Sequence, residues 1–330
     1  MFFLAFSVFI ATAQKKNNRE KNRTLSDTST RVSDVAVLRD IPYAWYPDNN
    51  GTVDTIGLDL YMPKVSDSSE KFPLMMIIHG GGFRKGDKGS AGRIAEALAD
   101  SGFVTVSINY RIGWDQNQTN KCDTAGAHPE VAFYKAQQDA RAAIRYLVGN
   151  AEKYRIDTSW IFVQGSSAGG VTSLNLVYFP QDSADRYLPG LSDSLGGLDT
   201  AGNTYRNSYT IKGIGALWGA LLSPDLITPE NAVPTIFFHG ERDRVVPWDA
   251  SNFYKCPNFP KAYGSKPLFE RMKEIGKPAV AIIDPEGGHG IYDAAFREQN
   301  IVYFFRKVMQ DQIPTKWIVG EVSLWNAPED

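Results

Sequence analysis

The sequence predicts an α/β fold: a mostly parallel eight-stranded sheet with helices on both faces. Three observations lead to it. Eight short apolar, β-branched runs recur along the chain, helix-compatible segments separate the later ones, and no internal repeat relates them. The predicted strands are Val35 to Tyr46, Thr52 to Tyr61, Leu74 to Ile78, Val104 to Asn109, Ser159 to Val163, Ile211 to Leu217, Thr235 to Phe238 and Ala279 to Ile283. The first two have no helix between them, which predicts an antiparallel edge. Ser90 to Ser101 places Ile94 and Leu98 at helical spacing, and Glu130 to Val148 does the same with Ala136, Ala140, Ala143, Ile144 and Leu147. Further helices are expected after Ser167, Ser265 and His289. The polar, Gly-rich stretch from Pro180 to Thr210 is too long for an ordinary connection, so it reads as a functional rim or small cap.

The 330 residues divide into three parts. Residues 1–13 pair an apolar run with Ala11-Thr12-Ala13 and read as a secretory signal peptide, too short to span a bilayer. Residues 14–34 are charged and polar, as in a flexible linker. Residues 35–330 form the expected catalytic domain, in a protein that is secreted or periplasmic. Lys plus Arg (35) nearly balances Asp plus Glu (37), which removes the electrostatic case for nucleic acid and favours a small or neutral ligand. Export permits a disulfide between Cys122 and Cys256, both in polar, loop-like segments. With two cysteines and four histidines lacking metal-ligand spacing, no structural zinc site is expected. Asn22-Arg23-Thr24, Asn50-Gly51-Thr52 and Asn117-Gln118-Thr119 have the N-glycosylation pattern, which chance also produces.

Gly165-Ser166-Ser167-Ala168-Gly169 is a G-x-S-x-G pentapeptide between the apolar run Trp160 to Val163 and a helix-compatible segment. A serine nucleophile at such a turn must be lifted clear of the backbone, and glycines on either side let strand and helix approach closely. His79-Gly80-Gly81-Gly82-Phe83 follows the buried-looking strand Leu74 to Ile78. Acyl transfer builds negative charge on a carbonyl oxygen, and glycine N–H groups facing a cavity can stabilise it. Gly81, Gly82 and Ala168 are the candidate oxyanion donors.

A base is needed to activate Ser167. His79 belongs to the glycine loop, His128 reads as surface, and His239 ends a strand and reads as loop support. His289 lies in the glycine-flanked loop after the last predicted strand, on the rim where Ser167 stands. Asp243, in the loop after Phe238, is the candidate carboxylate, giving the chain order Ser, Asp, His. Glu241 and Asp249 are alternatives.

These residues resemble the α/β-hydrolase superfamily, its secreted carboxylesterase and lipase branch with an HGGG oxyanion loop, similar to feruloyl and acetyl esterases. The resemblance runs from about Val35 onward and includes Leu58-Asp59-Leu60-Tyr61-Met62-Pro63, Asn109-Tyr110-Arg111 and Gly264-Ser265. It implies a two-step acyl-enzyme mechanism on a small-molecule or polysaccharide-linked ester, without metal or organic cofactor, and with no stable membrane insertion. The aromatics Phe83, Trp114, Trp218 and Trp248 are candidate substrate contacts, and Arg111 a structural ion-pair partner. A serine exopeptidase of the same fold and a non-catalytic binding protein remain alternatives.

Overall fold

The computed structural model describes residues 35–47, 50–64, 69–114, 122–123 and 128–327. The signal peptide and linker expected over residues 1–34, and the motifs at Asn22 and Asn117, lie outside the described residues.

The main sheet has nine strands in the order β1-β2-β4-β3-β5-β6-β7-β10-β11. They are β1 (Val35–Pro47), β2 (Val53–Pro63), β3 (Phe72–Ile78), β4 (Val104–Ile108), β5 (Ile156–Ser166), β6 (Ile211–Leu217), β7 (Thr235–Gly240), β10 (Ala279–Asp284) and β11 (Lys316–Val319). β2 is antiparallel to both β1 and β4, and the other pairs are parallel. All eight predicted strands are present, and the antiparallel edge is where the missing crossover helix put it. The sheet is nevertheless nine-stranded rather than eight-stranded. Lys316–Val319 is a four-residue edge strand with one buried residue, Ile318, so it lacks the apolar run by which the others are read. A separate two-stranded ribbon joins β8 (Ala250–Asn252) to β9 (Lys261–Tyr263).

Alternate residues of the central strands feed two cores, as a doubly covered sheet requires. Leu74, Met76 and Ile78 of β3 pack with Ala136, Ala140, Leu174 and Leu268 on one face. Met75 and Ile77 pack with Leu98, Ile301 and Phe304 on the other. The helices Pro129–Gly149, Ala168–Tyr178 and Ser265–Glu274 thus cover one face, and Gly92–Asp100 and Ala294–Met309 the opposite one. Local chemistry sets their starts: Pro129 occupies the first turn of its helix, and the Asp293 carboxylate caps Phe296 N–H at 2.7 Å.

The stretch from Pro180 to Thr210 is more structured than its composition suggests, with short helices at Gln181–Tyr187 and Leu191–Leu195. It is clasped to the body rather than arched over the sheet. Arg145 donates to the carbonyls of Ala201 (2.6 Å) and Tyr205 (3.1 Å), and Asn203 donates to those of Tyr43 and Ala142, both at 2.9 Å. Arg111 is the expected ion-pair partner, bound to the buried Asp139 carboxylate at 2.9 Å and stacked on Tyr46.

Candidate active site

The site lies along the carboxyl ends of β3, β5, β7 and β10, where parallel strands all release their loops on the same rim. Ser167 follows β5 with φ 57° and ψ −121°, a conformation costly for a residue with a side chain. The neighbouring strands and helix hold it there: Ser167 N–H donates to Leu217 O at 2.9 Å, and Val171 N–H closes the first helical turn on Ser167 O at 2.8 Å. The flanking glycines are required by space. A Cβ on Gly165 would lie 2.4 Å from the Gly169 carbonyl carbon, and one on Gly169 would lie 2.0 Å from Ile78 O.

Ser167 Oγ is 2.9 Å from His289 Nε2, and His289 Nδ1 is 2.8 Å from Asp243 Oδ2. A carboxylate only accepts, so Nδ1 carries the imidazole proton and Nε2 of the neutral ring accepts from the serine hydroxyl. That tautomer is the one able to take a proton from Ser167. Asp243 is itself fixed, its Oδ1 accepting the N–H groups of Val245 (2.7 Å) and Val246 (3.1 Å). Burial alone would raise its carboxyl, but the nearby His239 N–H, the hydrogen bond from His289, the charge that His289 carries when protonated and the Val245 N–H outweigh it and bring the group down to about 2. Of the alternatives, Glu241 and Asp249 are exposed, and the Asp249 carboxylate pairs with Lys266 at 2.9 Å.

The glycine loop turns through three successive positive φ angles, 112° at Gly81, 64° at Gly82 and 60° at Phe83. Gly81 O accepts from the N–H groups of Arg84 (3.1 Å) and Lys85 (3.2 Å), and Gly82 O accepts from the Trp114 indole N–H at 2.7 Å. With the carbonyls so engaged, no hydrogen bond uses the N–H of Gly81 or Gly82 among the described residues. Ala168 opens its helix, where an N–H has no partner one turn back. His79 supports the loop from beneath: buried, stacked on Tyr110 at 4.3 Å and hydrogen-bonded through Nδ1 to Gly80 O at 2.7 Å. Burial lowers its pKa, so the ring stays neutral.

A cavity of about 100 Å³ opens beside Ser167 and Ala168, walled almost wholly by apolar side chains. Phe83 and Trp114 line it, as their positions suggested. Trp218 and Trp248 do not. Trp218 is buried behind His289, its ring 6.1 Å from the imidazole and covered by the Arg297 guanidinium, while Trp248 packs on His239 and Trp317. Both follow strands on the correct rim, but the Trp218 ring is buried in the body and the half-buried Trp248 ring is taken up by its neighbours. From the Pro180 to Thr210 stretch, Leu188 alone lines the cavity.

Sequence reasoning missed Phe133, Val245, Val246, Phe253 and Tyr254, all in the cavity wall. One signal was available. Cys256, bonded to Cys122 with Cα atoms 5.2 Å apart, sits beside Phe253 and Tyr254 and pins that segment to the Trp114 side of the cavity. The Tyr254 hydroxyl reaches the glycine loop, lying 2.9 Å from where a Gly82 Cβ would stand. His128 is exposed, as expected.

The chain has the α/β-hydrolase fold, with Ser167, His289 and Asp243 in line on the rim of its sheet. Residues 58–186 match the BD-FAE family model, a stretch holding the glycine loop and Ser167 and stopping before Asp243 and His289. The chain is 25% identical over 162 residues to Esterase LipI of Mycobacterium tuberculosis, the match covering 44% of this chain and 46% of the relative. It is 30% identical over 135 residues to ethyl acetate hydrolase of Pseudomonas putida, covering 41% and 37%. The chain thus spans less than half the length of these curated relatives. Among solved structures, a truncated carbohydrate esterase from gut microbiota is similar in fold at a TM-score of 0.58 and 19% identity, over 86% of this chain and 100% of that one.

Proposed function

We propose that the protein is a serine carboxylesterase acting through an acyl-enzyme on short-chain, aryl or carbohydrate-linked esters. One observation carries the reading: the continuous line from Ser167 Oγ to His289 Nε2 and from His289 Nδ1 to Asp243 Oδ2, at 2.9 and 2.8 Å. Esterase relatives and neighbours support it. In this mechanism Ser167 Oγ attacks the ester carbonyl as its proton passes to His289, and Asp243 stabilises the imidazolium. The oxyanion is held by the N–H groups of Gly81, Gly82 and Ala168. His289 then returns the proton to the leaving alcohol, and water, deprotonated by the same imidazole, releases the acid. The apolar cavity receives the acyl group. The acid–base steps use groups already present in residues 35–330, the proposed catalytic domain.

The Cys122–Cys256 bond supports an oxidising compartment, in keeping with export. No helix among the described residues is long and apolar enough to cross a membrane.

The test is hydrolysis of p-nitrophenyl acetate and butyrate by the purified protein and by Ser167→Ala. Turnover by the wild type and its loss in the variant, with the fold retained, are expected; full turnover in Ser167→Ala would remove the nucleophile assignment. A panel crossing acyl length, aryl esters, acetylated xylan, feruloyl sugars and peptide amides then separates ester classes from exopeptidase activity.

A further inference from the structure

His239 ends β7, a strand flanked on both sides by parallel neighbours, and its side chain is completely buried. Its Nδ1 is 2.8 Å from Ser265 Oγ, and its Nε2 is 3.2 Å from Val246 O and 3.3 Å from Asp243 Oδ2. A carbonyl and a carboxylate can only accept, so Nε2 carries a proton. In the neutral ring Nδ1 must then accept, which makes the Ser265 hydroxyl the donor. Asp243 Oδ2 therefore lies against two imidazoles: His289 Nδ1–H donates to it at 2.8 Å, and His239 Nε2–H, hydrogen-bonded to Val246 O, stands 3.3 Å from it.

The second imidazole does what the loop cannot. The backbone donors to Asp243 both go to Oδ1 and both come from its own loop, at Val245 and Val246. Gripped at one oxygen, a carboxylate can still swing the other. A donor fixed to the end of a central strand removes that freedom. We infer that His239 is a positioning residue of this site: held as the Nε2–H tautomer by Ser265, it shares Asp243 Oδ2 with His289 and fixes the direction from which the carboxylate meets His289 Nδ1. The inference rests on the proposed Ser167–His289–Asp243 assignment for its kinetic consequence, but the 3.3 Å contact of His239 Nε2 with Asp243 Oδ2 stands on geometry alone.

The experiment compares wild type with His239→Leu, His239→Gln and Ser265→Ala, reading kcat and KM on p-nitrophenyl acetate and the low-field proton resonance of His289 Nδ1–H by NMR. Glutamine can place an amide N–H near the position of Nε2, whereas leucine keeps bulk and no donor. Loss of one charge-assisted hydrogen bond on the catalytic carboxylate corresponds to about tenfold or more in rate. His239→Leu is therefore expected to lose about tenfold or more in kcat with KM within about twofold, and to shift the resonance. His239→Gln should recover most of kcat, and Ser265→Ala, which frees the tautomer, should fall between them. Equal loss in the leucine and glutamine variants with an unmoved resonance would mean packing and overturn the inference. Wild-type kcat and resonance in Ser265→Ala would overturn the tautomer lock, and this variant decides the matter if His239→Leu does not fold. Should the wild type show no Ser167-dependent turnover, the proposed function fails, and the resonance alone still tests whether His239 shares Asp243.

Discussion

Asp243 and His289, 46 residues apart in sequence, meet with His289 Nδ1 2.8 Å from Asp243 Oδ2. The contact links the loop after β7 to the loop after β10, adjacent strands whose register pairs Ile283 with His239 and Asp284 with Gly240. Strand pairing therefore sets the distance between carboxylate and imidazole before any side chain turns.

That contact has a signature in acid. The Asp243 carboxyl stands at about 2 against an ordinary 3.8, burial being outweighed by its hydrogen bonds. A depressed carboxyl stabilises the fold fully above its unfolded value and loses that contribution as pH falls through the folded one, here between about 4 and 2. The amount is on the order of 2 kcal/mol. Urea midpoints of wild type and Asp243→Asn should differ at pH 5 and converge near pH 2; an undiminished gap in acid would contradict the assignment.

Glu298 behaves in the opposite sense. Burial pushes its carboxyl up to about 7, against a hydrogen bond from Gln164 at 2.8 Å and the charge of Arg297. The folded state then holds a proton that the unfolded chain releases near pH ~4.3, so stability declines as pH rises from about 4 to 7 and levels off above. Glu298→Gln keeps an acceptor for Gln164 without the charge. Its Tm should exceed that of wild type at pH 8.5, by on the order of 3 kcal/mol in stability, and match it at pH 4.

Trp114 holds the glycine loop through its indole N–H on Gly82 O, at 2.7 Å. Trp114→Phe retains an aromatic wall and removes the donor. A lost hydrogen bond of this kind is worth about 1 kcal/mol, so kcat on p-nitrophenyl acetate should fall severalfold with KM little changed. A rise in KM alone would make Trp114 a substrate contact and nothing more.

The Cys122–Cys256 bond closes a separation of 134 residues. Chain-entropy reasoning gives such a crosslink roughly 3 to 5 kcal/mol. Replacing both cysteines with serine should lower the urea midpoint accordingly. Because Phe253, Tyr254, Phe259 and Pro260 all line the cavity beside Cys256, hydrolysis of aryl esters should suffer more than that of acetate esters. Equal effects on both would show that the crosslink stabilises the chain without shaping the cavity.

The sequence alone determined the eight principal strands and the antiparallel edge, and it singled out Ser167, Asp243, His289 and the glycine loop, which the fold brings to one rim. It could do so because the signals are local: a strand announces itself by a run of apolar residues, and Gly165 and Gly169 are demanded by a backbone approach between sites only a few residues apart. Lys316–Val319 escaped because an edge strand can be held by backbone hydrogen bonds with little apolar content. Tertiary structure alone decided which aromatics line the cavity. Trp114 and Trp218 look equivalent along the chain, yet one ring lines the cavity and the other is buried behind His289. Side-chain direction at a loop depends on the space left by distant segments, as it does for Phe253 and Tyr254, which the disulfide brings to the Trp114 side. His239 is the same case at closer range: its sequence position marks the end of a strand, and only packing against Ser265 and Asp243 settles which of its nitrogens carries the proton.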